Sequence, residues 1–124
     1  MIHHDTSFLI RALVRGTPED RALRRWIANG ESLAVCSVAW AEFQCGPLTS
    51  SELAVAGAII DGHRDFTRDN AEAAGRLFNE SGRRRGSLID CMIAAAALAD
   101  DVPVATANRA DFVRLTELGV STAD

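Results

Sequence analysis

The run Ser87-Leu88-Ile89-Asp90-Cys91-Met92-Ile93-Ala94-Ala95-Ala96-Ala97-Leu98-Ala99 is apolar on almost every side and long enough for about three helical turns. A helix of this kind belongs in the interior of a domain. Its one charge is Asp90, and a carboxylate on a buried element is costly without a partner or a metal. Ser87-x-x-Asp90 also fits a capping box, with the acid in the first turn where the helix dipole favours it. On this run alone the cap is the simpler reading; the rest of the chain shifts the balance.

Short apolar runs and helical segments alternate outward from it. Met1–His4 reads as a first strand and Asp5–Val14 as a helix, with Ile10, Leu13 and Val14 on one buried face. Thr17, Pro18 and Asp20 open a second helix through Ala28, with Leu23, Trp26 and Ile27 inward. Leu33–Cys36 is a continuous apolar strand of the buried parallel type. Ser37 caps a third helix to Cys45, and Gly46-Pro47 ends it. Ser50 or Ser51 starts a helix through Ile60 that is apolar around most of its circumference; such a helix sits in the core or packs on another chain, and in so small a domain a homodimer contact is expected. His63–Phe66 reads as a short edge strand, and Thr67 caps a helix through Glu80. Asp101–Thr106 reads as a strand, Asn108–Val113 as a short helix and Gly119–Ser121 as a last strand. The alternation predicts one α/β domain spanning residues 1–124, a three-layer α/β/α sandwich on a central parallel sheet.

Composition narrows the function. With 48% hydrophobic and 24% charged residues the chain reads as an ordinary soluble protein. No apolar run approaches the roughly 18–20 residues of a membrane span, and Met1 leads straight into a strand rather than a signal segment. Cys36, Cys45 and Cys91 are odd in number, lie in apolar segments and form no C-x-x-C pair. They read as reduced, buried thiols of a cytoplasmic protein. A net charge of −4 argues against a broadly electrostatic nucleic-acid binder. All thirteen basic residues are Arg, so any chemistry that requires a lysine is excluded.

Three apolar elements each keep one carboxylate. Asp5 is the only acid before Pro18, Glu42 the only charge between Ser32 and Ser51, and Asp90 the only charge between Gly86 and Ala99. Asp111 follows the strand that ends near Thr106. In a parallel sheet, residues just past the carboxyl ends of strands gather along one edge, where ligands bind. Two carboxylates about 5 Å apart repel by roughly 3 kcal/mol at an effective dielectric of about 20. Mg²⁺ or Mn²⁺ removes that cost, takes oxygen ligands and needs only one or two carboxylates directly. Such a centre activates water toward a phosphodiester. Each acid has a simpler alternative. Asp5 could cap the first helix, Asn108-x-x-Asp111 fits a capped short helix, and Glu42, too far from Ser37 for a capping box, could face solvent.

The residues together resemble the PIN domain, and within it the VapC-type toxin ribonucleases of VapBC toxin–antitoxin pairs. The resemblance rests on Asp5-Thr-Ser-Phe-Leu-Ile10, Ala41-Glu42-Phe43, Asp90-Cys-Met-Ile-Ala-Ala-Ala-Ala-Leu-Ala99 and Ala105-Thr106-Ala-Asn108-Arg-Ala-Asp111-Phe112. It implies that Asp5, Glu42, Asp90 and Asp111 are the acidic metal-site residues, with Ser7, Thr106 and Asn108 as polar supports. It also implies Mg²⁺ or Mn²⁺ dependence, cleavage of RNA and an antitoxin partner whose tail blocks the acidic groove. Pro47–Arg85 carries no matching motif. Arg83, Arg84 and Arg85 precede Asp90 closely and either steer RNA phosphates or form a solvated face. His3 and His4 alternate across a strand, so both cannot join one site, and they read as packing residues. Trp26 and Trp40 read as core. Two other function classes remain. A receiver-type signalling domain needs adjacent acids after the first strand and a lysine, which the chain lacks; a PIN-like binding scaffold needs no metal.

Overall fold

A computed structural model describes residues 1–124. Four short runs pair into one sheet: β1 (Ile2–His4), β2 (Leu33–Cys36), β3 (Gly62–Arg64) and β4 (Val104–Ala105). All pairings are parallel and the strand order is β3-β2-β1-β4. Seven helices connect them: α1 (Thr6–Ala12), α2 (Pro18–Ala28), α3 (Ser37–Gln44), α4 (Ser50–Ile59), α5 (Arg68–Glu80), α6 (Leu88–Ala99) and α7 (Arg109–Thr116). The chain builds outward from β1 through β2 to β3, then returns to the other side of β1 with β4. The order therefore reverses between β1 and β4, and a crevice opens at the carboxyl ends of those strands.

Period-two alternation assigns the two faces of the sheet. His4 meets the Phe8 and Trp26 rings, at centroid separations of 5.3 and 6.1 Å, on the face that Ile2 and Leu33 share with α1 and α2. His3 lies fully buried on the other face, and its Nε2 donates to Asp100 at 2.7 Å. Both act as packing histidines. Burial holds the His4 imidazole down to about 4, so it stays neutral and donates from Nδ1 to the Ala34 carbonyl. On the His3 side, Val104 packs with Cys91 and the Ile93–Ala97 run of α6, and α5 adds Ala74 and Leu77. Helices thus cover both faces of the sheet, as expected of the α/β sandwich.

The caps explain several boundaries. Thr49 and Thr67 form complete capping boxes with Glu52 and Asn70. Thr17 accepts from Asp20, but the Asp20 carboxylate turns to the Gly16 amide and Arg24, so that box stays half-made. Ser37 does not cap α3; its Oγ accepts from the Phe66 amide and ties the helix start to the chain after β3. The Ser87 box is not formed either. Its backbone is already helical and its hydroxyl donates to the Arg84 carbonyl.

The expected inward face of α1 is corrected. The buried residues are Thr6, Phe8, Leu9 and Ala12, whereas Ile10 lies outside that docked stripe and Val14 lies past the helix end at Ala12, so both are exposed. Ile27 is also exposed, and Trp40 is half-buried, stacked on Phe43. Cys45 is exposed, unlike Cys36 and Cys91. The last strand reduces to one bridge, Val104 to Thr122.

The turn between α5 and α6 depends on Gly82, at φ +100°, where an added Cβ would lie 2.7 Å from Arg114 Nη1. That guanidinium donates to the Ser81 carbonyl. Arg114 is flexible enough to move, so the backbone conformation sets the cost. Gly82→Ala is expected to destabilise the domain by about 1–2 kcal/mol, read as a lowered thermal midpoint.

Candidate functional site

Three of the four acids surround one cavity at the carboxyl edge of the sheet. It has a volume of about 390 Å³, and its walls include Asp5, Ser7, Glu42, Asp90 and Asn108. Asp5 follows β1 directly and caps α1, with Oδ1 accepting from the Phe8 amide and the Ser7 hydroxyl, each at 2.8 Å. The cap reading of this residue is therefore correct, and it coexists with a place in the cavity. Burial raises the Asp5 carboxyl above its ordinary range, against hydrogen bonds from Thr106, Phe8 and Ser7.

Glu42 projects from α3 and is exposed, as its solvent-facing alternative required. It is nonetheless tethered, since the buried Thr6 hydroxyl donates to Oε1 and also approaches the Ala39 carbonyl. Thr6 was not among the expected supports. The available signal was a hydroxyl at a position that α1 buries, visible only once the helix face is known.

Asp90 occupies the first turn of α6 and is half-buried. Burial, followed by the charges of Asp5, Asp111 and Glu42, raises its carboxyl to about 6, while Arg84 opposes the shift. The carboxylates therefore share one field. Asp111 stands apart from the cavity wall. It lies in a small recess with Ser81, Arg84, Ser87 and Arg114, where Arg84 Nη2 donates to Oδ1 at 3.4 Å. The expected cap on α7 is absent, because Asn108 makes no side-chain bond to its own helix.

Polar supports link the parts. The Ala107 amide donates to Ser7 Oγ at 3.1 Å and the Asn108 amide to Thr106 Oγ1 at 3.0 Å. The end of β4 is thereby stitched to Asp5 through Ser7 and Thr106. Cys45 and Gly46 line the same cavity and were not expected there. In the run 83–85, Arg83 lies over the Phe78 ring and also contacts Asn79, and Arg84 faces Asp111.

The ionisable groups that face one another across the cavity are carboxylates, all hard oxygen donors, with the Cys45 thiol also in the wall. No three His, Cys, Asp or Glu side chains converge closely enough to enclose an ion by themselves. This excludes a closed zinc-type cage. It suits a hard divalent cation held by one or two carboxylates and water, a bond that would relieve the strain on Asp90.

Comparison with known proteins agrees with the geometry. The sequence matches the PIN domain family over residues 2–118. No curated protein matches it significantly. Among solved structures, the chain is similar to VapBC2 from Rickettsia felis bound to a DNA fragment from its promoter. That match has a TM-score of 0.76 at 22% identity and covers 100% of both chains. It is similar to VapC20 of Mycobacterium tuberculosis, a toxin that cleaves the sarcin–ricin loop, with a TM-score of 0.67 at 16% identity, covering 99% and 98%. VapBC-5 of the same organism matches with a TM-score of 0.62 at 27% identity, covering 98% and 94%. No helix is long and apolar enough to cross a membrane.

Proposed function

The chain belongs to the PIN domain family, and on that premise we propose that it is a divalent-metal-dependent endoribonuclease acting as the toxin of a toxin–antitoxin pair. The observation that carries the reading is the field shared by Asp5, Glu42 and Asp90 around one cavity, with Asp90 driven to about 6. Asp5, Glu42 and Asp90 would hold Mg²⁺ or Mn²⁺. When bound, such an ion activates a water toward the phosphodiester and steadies the leaving oxygen. Ser7 and Thr106 fix the Asp5 carboxylate, and Thr6 fixes Glu42. Asp111 belongs to the same acidic set and adds to the charge on Asp90, while Arg84 neutralises part of it and is assigned a contact with an RNA phosphate. Asn108 completes the wall. Arg83 and Arg85 are assigned a weaker contact with RNA.

The solved relatives crystallised as toxin–antitoxin complexes support a cognate antitoxin as the protein partner. Exposed Val55, beside the half-buried Leu53 and Ile59 of α4, supports a homodimer, checked by the mass of the protein in solution.

Purified protein incubated with RNA is expected to cut it with Mn²⁺ or Mg²⁺ and to stop when EDTA is added. Cleavage in EDTA would overturn the metal dependence, and no cleavage of any RNA with either ion would favour a binding scaffold. Thr6→Val tests the support of Glu42. It removes the hydroxyl at nearly constant volume, so stability is expected to fall by about 1 kcal/mol. The cleavage rate is expected to fall about tenfold, with Thr6→Ser restoring most of it; an unchanged rate would remove Thr6 from the site.

A further inference from the structure

A second cleft, of about 570 Å³, lies on the other side of the Thr106–Ala107 segment from the acidic cavity. The two share a wall: Ala107 donates to Ser7, and Ser7 to Asp5. The ionisable residues of the second cleft are Arg21, Arg25, Arg109, Glu19 and Asp124. Glu19 is taken by Arg11, and Arg21 donates to the Gly16 carbonyl. Arg25 and Arg109 have no partner in the body of the domain. They reach only the last two residues, Arg25 to the main-chain oxygen of Asp124 and Arg109 to the Asp124 carboxylate and the Ala123 carbonyl. The Asp124 side chain is 98% exposed, so its ion pair with Arg109 is weak and displaceable, and the remaining two bonds go to main-chain oxygens at the chain end.

In a chain of net charge −4, two such guanidinium groups beside an acidic cavity are out of keeping with their surroundings. A polyanion approaching that cavity meets repulsion, and a cationic cleft on the shared wall offsets it. We propose that this cleft holds the sugar–phosphate backbone of single-stranded RNA beside the acidic cavity, with Arg25 and Arg109 on successive phosphates. The proposal rests on the ribonuclease reading for the identity of the polymer. The oxygens of Ala123 and Asp124 occupy the positions that phosphate oxygens would take. Arginine forks suit that ligand. Phe8 and Trp26 lie beneath the cleft but are buried and stacked on each other, so they offer no exposed platform for bases. Binding here is therefore expected to ignore base identity and to depend steeply on salt.

The test is anisotropy of a short labelled single-stranded RNA, titrated in EDTA so that binding is read without cleavage. The doubly substituted Arg25→Ala, Arg109→Ala protein is expected to bind about tenfold more weakly, with a salt dependence shallower by about 1.4, or about 0.7 per phosphate lost. Arg25→Lys with Arg109→Lys, which keeps both charges, is expected to restore the slope. Circular dichroism verifies that each variant is folded. Unchanged affinity and slope in the alanine variant would overturn the inference. So would loss confined to variants of Arg83–Arg85, or equal displacement of the RNA by polyglutamate, which would make the cleft an acidic-peptide site. The two readings fail separately. If wild-type protein cuts RNA while the cleft variants bind it normally, only the cleft is wrong. If the cleft binds RNA as described and no divalent ion supports cleavage, only the ribonuclease reading is wrong.

Discussion

Asp90→Asn is expected to reduce RNA cleavage by roughly a hundredfold or more while making the metal-free protein more stable at neutral pH. Both effects come from one carboxylate. Its carboxyl titrates at 3.8 without the fold and at about 6 within it, chiefly through burial and then through Asp5, Asp111 and Glu42. Below 3.8 the folded and unfolded chains both hold the proton, and Asp and Asn are nearly equivalent there. Above about 6 the folded state carries a charge that its surroundings penalise and the unfolded chain does not. The stabilisation by Asn is therefore full above pH 6 and fades as pH falls toward 3.8. Asp90 is partly open to solvent, so the gain after allowance for screening is about 1 kcal/mol. Thermal melts in EDTA at several pH values read it directly. A variant that loses stability at neutral pH would show that Asp90 is a structural cap, as its position in the first turn of α6 first suggested.

Asp5→Asn is expected to lose cleavage to a similar degree with little change in stability, whereas Asp5→Ala loses both. Asn keeps an oxygen for the Phe8 amide and Ser7 hydroxyl, which now bond Asp5 Oδ1 at 2.8 Å. Ala leaves the α1 amide and the half-buried Ser7 hydroxyl without their acceptor, a loss of about 1 kcal/mol or somewhat more. Comparing the pair separates the cap from the charge. If Asn retained wild-type cleavage, Asp5 would be a cap and nothing else.

Much of this architecture was legible in the sequence because it rests on local signals. Short apolar runs between capped helices announced the parallel sheet, and Pro18 and Thr67 marked their helix starts correctly. Asp5, Glu42 and Asp90 were visible as lone charges in apolar elements. What escaped was decided by where each side chain finds its partner once the chain has folded. Arg84 draws Asp111 into a recess away from the cavity that the other three acids share. Ser87 spends its hydroxyl on the turn before α6 rather than on the helix, because that turn passes through Arg83 and Gly86 at positive φ. Along α1, Ile10 and Val14 have helical spacing as good as that of Leu9 and Ala12. Only the docking of α1 beside β1 and α3 shows which stripe is inside, and with it that Thr6 faces Glu42. The apolar neighbours of Cys45 predict burial, yet it follows the last turn of α3 and opens onto the cavity.

If the acidic cavity is built for a divalent cation, calorimetric titration of Mn²⁺ into the metal-free wild type and its Asp90→Asn variant will show it. Saturable binding by the wild type, lost or weakened by roughly tenfold or more in the variant, is the predicted result. No saturable binding by the wild type, or equal binding by both proteins, would show that the cavity is not a metal site held by Asp90.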